Sequence, residues 1–68
     1  KEMNKLNLSE EEIIIYNIMK SETELSRAEL DKKSGFYKSK TLRIIDNLID
    51  KNIIKKLGEG PGTTYRLR

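Results

Sequence analysis

This sequence predicts a mainly α domain, a three-helix core with a small β-hairpin, on three observations. Ser34 to Leu48, SGFYKSKTLRIIDNL, is a glycine turn feeding a helix whose first turn is basic and rich in hydroxyls. Ile53 to Leu67, IIKKLGEGPGTTYRL, reads as two short strands around a glycine-rich tip, with lysine on one arm and arginine on the other. Upstream, two serines each precede a glutamate by three residues, the spacing that opens a helix. A helix with a basic leading end followed at once by a basic hairpin is the outline of a winged helix-turn-helix, a three-helix core plus a β-wing.

Residues 1–8 read as a tail or linker, with Leu6 and Leu8 able to tuck against the core, and the folded domain is expected over 9–68. Ser9 with Glu12 has capping-box spacing, and Glu10, Glu11 and Glu12 suit the positive end of a helix dipole. The first helix is expected from about Glu10 to Lys20. Ile15, Ile18 and Met19 share one face with Ile14 beside it, and Ile13 lies on the opposite side near Tyr16. Thr23-Glu24-Leu25 is extended enough for a small third strand. Ser26 with Glu29 repeats the capping box and opens a second helix through about Lys33, with Leu30 as its core residue. Gly35 supplies the left-handed turn between helices, and Phe36 plugs the corner. The third helix is expected over about 38–51. Thr41, Ile45, Leu48 and Ile49 form its inward stripe, Leu42 or Ile44 lies at the border, and Asn52 is a left-handed stop. Ile53–Leu57 and Thr63–Leu67 are the hairpin arms, with Pro61 and three glycines in a tip lacking fixed side-chain packing.

Composition narrows the functions. Sixty-eight residues make one small domain. With 37% charged and 35% hydrophobic residues there is enough for one core. No apolar run approaches the roughly 20 residues of a spanning helix, so no membrane partner is expected. The first residues are polar and charged, unlike a secretion signal. The chain opens on Lys1, as expected of a piece of a longer protein, and a cytoplasmic, nucleoid-associated location is expected. Cysteine and histidine are absent, which removes disulfides, thiolate nucleophiles, imidazole bases and the usual zinc ligands. No metal or cofactor is expected, and no enzyme. The carboxylates Glu10–Glu12, Glu22 and Glu24 have no evident partner for proton transfer. Gly58-x-Gly60-x-Gly62 lacks the helix and the lysine–hydroxyl pair of a phosphate loop. Asp46 and Asp50 flank Lys51 and keep their helix soluble.

Charge is segregated. Residues 1–31 hold four basic and eight acidic side chains, a net −4, whereas residues 32–68 hold ten basic and three acidic, a net +7. The second half is built for an anionic partner. With the inward stripe set, Lys38, Ser39, Lys40, Arg43 and Asn47 fall on the outward side of the third helix or its flanks. Arginine and lysine donate to guanine, serine bonds either way and asparagine pairs with adenine. Ser39, Lys40, Arg43 and Asn47 are the candidates for base edges, Lys40 and Arg43 foremost. Tyr37 and Lys38 at the helix start, with Ser26 and Arg27 at the start of the second helix, are candidates for phosphate, although Ser26 serves first as a cap. Lys55, Lys56, Arg66 and Arg68 form a basic wing for backbone or minor groove, and the lysines also protect an edge strand. Tyr65 reads as a core or rim residue of the hairpin. The partner expected is double-stranded DNA.

Ser26 to Leu30, Ser34 to Thr41 and Leu48 to Ile54 together resemble the helix-turn-helix and wing of the MarR-like winged-helix superfamily. Gly58 to Leu67 also resembles the C-terminal winged module of Schlafen-like ATP-binding regulators and of many Fic-domain proteins. The resemblance covers about residues 8–68. It implies a transcription-regulating module, with Lys38, Ser39, Lys40 and Arg43 facing the groove and Lys55, Lys56 and Arg66 in the wing. Two residues depart from the pattern. Tyr37 stands where many relatives carry a capping serine, which moves the expected helix start toward Ser39. Leu42 stands where many carry a small or polar residue. Full MarR proteins add flanking dimerisation helices, which these residues lack.

An alternative function stays open: a winged helix that docks a protein partner, a second copy or a neighbouring domain, through Ile13 and Tyr16. Single-strand or RNA binding is disfavoured, since Phe36 and three tyrosines make a poor stacking platform.

Overall fold

The computed structural model describes residues 8–68 of the chain. The expected tail therefore lies outside the described residues, except for Leu8, which is buried with the core.

Helix α1 (Glu10–Lys20) begins where the sequence places it, because Ser9 is a complete capping box. Its hydroxyl accepts from the Glu12 N–H at 3.2 Å, and its own N–H donates to Glu12 Oε1 at 3.0 Å. Helix α2 (Arg27–Ser34) starts the same way, through Ser26 and Glu29. Gly35 ends it at φ 81°, ψ 8°, a left-handed conformation that a Cβ disfavours. Helix α3 (Lys38–Asp50) follows, and Asn52 at φ 62° turns the chain out of it.

Strands β1 (Ile54–Leu57) and β2 (Thr64–Leu67) pair antiparallel, with Lys55 opposite Arg66 and Lys56 opposite Tyr65. The ladder starts one residue later on each arm than expected. The Ile53 N–H is already taken by the Leu48 carbonyl and the Thr63 N–H by the Gly60 carbonyl. The tip is more ordered than its composition implies. Gly60–Gly62 forms a 3₁₀ turn, closed by the Thr63 hydroxyl on the Gly60 carbonyl at 2.8 Å. Gly58, at φ 76°, comes so close to the returning arm that a Cβ would lie 3.1 Å from the Gly62 oxygen. Leu25 is the expected third strand reduced to one residue, exchanging hydrogen bonds with Tyr65 at 3.0 and 2.7 Å.

The core joins all these elements. Leu8, Ile15, Met19, Leu25, Leu30, Ile44, Ile45, Leu48, Ile54 and Tyr65 are buried together. Two details differ from the expected faces. Ile44, not Ile49, completes the inward stripe of α3, and Ile49 is the half-buried border residue. On α1 the exposed isoleucine is Ile14, at 41%, whereas Ile13 and Tyr16 are half-buried against the core. Strand β2 packs on α1, and the base of the hairpin meets α1 at Tyr16, a covering that α1's own periodicity does not reveal. Among the described residues, no helix is long and apolar enough to cross a membrane.

Thr41 sits fully inside this core, and its hydroxyl has no hydrogen-bond partner among the described residues. An unsatisfied buried hydroxyl costs about 1–3 kcal/mol, and valine has nearly the same shape. Thr41→Val is therefore expected to raise the unfolding free energy by about 1 kcal/mol, and urea denaturation checks it. A loss of stability would mean that the hydroxyl is satisfied in solution.

Candidate nucleic-acid interface

Helix α3 differs from the other two helices at its start. Tyr37 is its N-cap in extended backbone, and no side chain caps it. The start does not move to Ser39: the Thr41 N–H already bonds the Tyr37 carbonyl at 3.0 Å. Among the described residues, the first amides of α3 are thus left without a side-chain acceptor. A helix N-terminus in that state favours an anion. Tyr37, Lys38 and Ser39 are all exposed there.

Outward from the core, α3 presents Ser39, Arg43, Asp46 and Asp50 in one stripe at helical spacing, and all four are exposed. Its leading half is neutral to basic and its trailing half acidic. The aspartates sit on the outward face itself, which the i, i+4 spacing alone had not separated from a flank.

Lys40 and Asn47 leave this stripe. They are seven residues apart, so they share a flank, and that flank faces α1. Lys40 Nζ lies 2.7 Å from Glu11 Oε2 and 4.6 Å from the centre of the Phe36 ring. Asn47 lies beside Glu12 on that flank and is exposed. Arg43 reaches Glu11 at 3.6 Å but remains 65% exposed. Of the four residues placed on base edges, Ser39 and Arg43 project outward, Lys40 bonds to α1, and Asn47 is exposed on the flank beside α1.

Glu12 is the residue whose role went furthest beyond the sequence reading. It is a cap, but it is also buried and accepts from Lys51 Nζ at 2.9 Å. Burial alone would raise its pKa. The Lys51 hydrogen bond, the Ser9 N–H, the Lys51 charge and the Asn47 amide outweigh burial and hold it below the usual value. Glu11 and Glu12 thus fasten α1 to α3 by adjacent side chains. A run of three glutamates after a capping serine, facing a helix rich in lysine, was the available signal.

The phosphate candidates at α2 are occupied. The Ser26 hydroxyl is its helix cap, and Arg27 pairs with Asp31 one turn on. Both nevertheless line an open groove of about 510 Å³ between α2, α3 and the hairpin. Lys38 and Leu42 of α3 and Lys56 and Tyr65 of the hairpin complete its walls. Leu42 is half-buried there.

The wing is basic on both faces rather than one. Lys56 shares the face of Tyr65 and Ile54 and turns toward the groove, whereas Lys55 and Arg66 oppose each other on the other face. Arg68 lies at the base of the hairpin, where its N–H bonds the Ile53 carbonyl at 3.0 Å, near Tyr16 and away from the tip. Like charges directly opposite on a ladder destabilise it.

No protein-family model matches the sequence, and no curated protein matches it significantly. Solved structures do match the fold. The oxidized form of MarR from E. coli superposes with a TM-score of 0.85 at 18% identity, covering 97% of this chain and 48% of that one. A MarR family transcriptional regulator from Silicibacter pomeroyi gives 0.82 at 16% identity, over 98% and 48%. The protein RV1404 from Mycobacterium tuberculosis gives 0.86 at 18%, over 97% and 49%. The chain thus spans about half the length of each structure it matches. Three helices closed by a two-stranded antiparallel hairpin, with nearly all of this chain superposing on about half of each of these structures, make this a winged-helix fold.

Proposed function

We propose that this domain binds double-stranded DNA as the reading module of a transcriptional regulator, with the leading half of α3 in the major groove and the hairpin on the adjoining backbone. The observation that carries this reading is the groove shared by Lys38 of α3 and Lys56 of the wing. It brings the basic leading turn of α3 and the basic hairpin to one surface, beside the uncapped start of α3. Ser39 and Arg43 are the residues for base edges, since they project outward in the first two turns, where recognition helices touch bases. Asp46 and Asp50 further along the same stripe would repel phosphate, which confines contact to that leading half. Lys38, Lys55, Lys56 and Arg66 serve phosphate. The likeness to transcriptional regulators supports this use of the fold. In a full-length protein the domain would act on gene expression, and a two-fold DNA site would accompany a dimer.

Fluorescence anisotropy of a mixed-sequence duplex at low and moderate salt tests the reading. Binding should weaken steeply as salt rises, in proportion to the phosphates neutralised. Arg66→Gln should flatten the slope of log affinity against log salt by about 1 and weaken all sequences alike. The same substitution relieves the Lys55–Arg66 opposition, so it should raise stability by about 0.2–1 kcal/mol in parallel melts. Absence of binding at low salt by the folded chain would remove autonomous DNA binding. An unchanged salt slope in Arg66→Gln would take the wing off the DNA.

A further inference from the structure

The leading half of α3 carries three cations, Lys38, Lys40 and Arg43, and α1 places one carboxylate against two of them. Glu11 Oε2 is 2.7 Å from Lys40 Nζ, and Glu11 Oε1 is 3.6 Å from Arg43 Nη2. Lys40 is held on a second side by the Phe36 ring, and only 24% of its side chain is exposed. Among the described residues Arg43 is held by the loose contact alone, and it is 65% exposed. The grip is therefore unequal: Lys40 is retained, and Arg43 is restrained yet free to reach outward.

We propose that Glu11 is an intramolecular competitor of phosphate at the DNA-binding surface, holding down its affinity for DNA of any sequence through Lys40 and Arg43. The proposal rests on the DNA-binding reading above. Attraction to DNA of any sequence scales with the number of phosphates neutralised. Sequence preference comes from forked contacts to base edges, which Arg43 can make and a lysine ammonium makes less selectively. A carboxylate that withholds Lys40 from phosphate lowers affinity for every sequence. Specificity is the difference between binding free energies, so a contribution common to every sequence cancels from it, and Glu11 sets the overall affinity rather than the preference. In this arrangement Glu11 competes with phosphate for the same cations, and releasing it adds one or two phosphate contacts.

A purely structural role for Glu11 predicts something else. It would change the melting temperature and leave the salt slope alone. The test therefore compares the wild-type chain with Glu11→Gln, Lys40→Ala and the double variant, each shown by thermal melt to be folded. Anisotropy is measured on a mixed-sequence duplex across a salt series. Glu11→Gln should steepen the slope of log affinity against log salt by about 1–2 and tighten binding about tenfold near 0.1 M salt. Lys40→Ala should change affinity by less than about twofold in the wild-type background, and in the Glu11→Gln background it should abolish most of the gain. An unchanged slope in Glu11→Gln overturns the proposal, as does an equal cost of Lys40→Ala with and without Glu11. Binding by Glu11→Gln where the wild type shows none would support it in its strongest form. If no variant binds, the DNA-binding reading falls first and this inference with it.

Discussion

Glu12→Ala is expected to lower the unfolding free energy by about 2–3 kcal/mol and the melting temperature by about 10–20 °C. The substitution removes two things at once. One is the returning half of the α1 capping box, the carboxylate that accepts from the Ser9 N–H at 3.0 Å. Losing a cap costs about 1 kcal/mol. The other is the charged partner of Lys51, 39 residues away in sequence, which ties the start of α1 to the end of α3. A hydrogen bond to a charged group contributes about 1.5–3 kcal/mol, and that range is discounted here because the Lys51 side chain is 37% exposed. In a domain this small the sum is a large part of the total, which for natural proteins is about 5–15 kcal/mol.

The pH dependence has a definite sign. The Glu12 carboxyl titrates below its ordinary value of 4.5 in the folded chain. Between the two values the unfolded chain binds the additional proton, so stability rises with pH there. The contribution is complete above about 4.5 and is lost as pH falls through the folded value. Glu12→Gln separates the two roles. Glutamine also serves at this position of a capping box, so it should cost less than alanine, but it carries no charge to titrate. Urea denaturation from pH 3 to 7 should show a shallower acid limb for Glu12→Gln than for wild type. Equal limbs would mean that another carboxylate governs acid unfolding.

Glu12 also marks the boundary of what the sequence made legible. Features settled within four or five residues were readable: both capping boxes, the left-handed Gly35 and Asn52, and the limits of each helix to within a residue. These depend on local geometry, where residue type and spacing suffice. What escaped was set by one element landing on another. Ile13 reads as an outer residue of α1 until the hairpin is seen to cover that side. Lys40 and Asn47 read as groove residues because both lie off the inward stripe of α3. A wheel gives the angle from the core but not which flank a neighbouring helix occupies. The charge asymmetry held the clue in coarse form, since the acidic half and the basic half of the chain face each other through Glu11, Glu12, Lys40 and Lys51. Part of the basic excess is thus neutralised inside the domain, and the surface free for an anionic partner is narrower than the net charge implies.

Arg43 is where that narrower surface should show its chemistry. On a sequence selected by the wild-type chain from a random duplex pool, Arg43→Ala is expected to lose about 1–3 kcal/mol, about 5- to 150-fold in affinity, through a missing two-pronged base contact. On a mixed-sequence duplex the loss should be much smaller. Arg43 follows Ser39 by four residues on the outward stripe, one turn in from the uncapped start of α3. A helix that enters the groove by its leading end brings base edges to those two positions, while phosphates gather around Lys38 and the wing. In the proposed binding mode Asp46, three residues beyond Arg43, would meet the groove next and would close the reading surface to further phosphate. Arg66, on the hairpin face turned away from the core, has no base within such an arrangement, so its loss should be uniform across sequences. The contrast between the two arginines is the decisive readout. If Arg43→Ala weakens every duplex to the same degree as Arg66→Gln, α3 lies on the backbone rather than in the groove, and sequence must be read elsewhere on the domain.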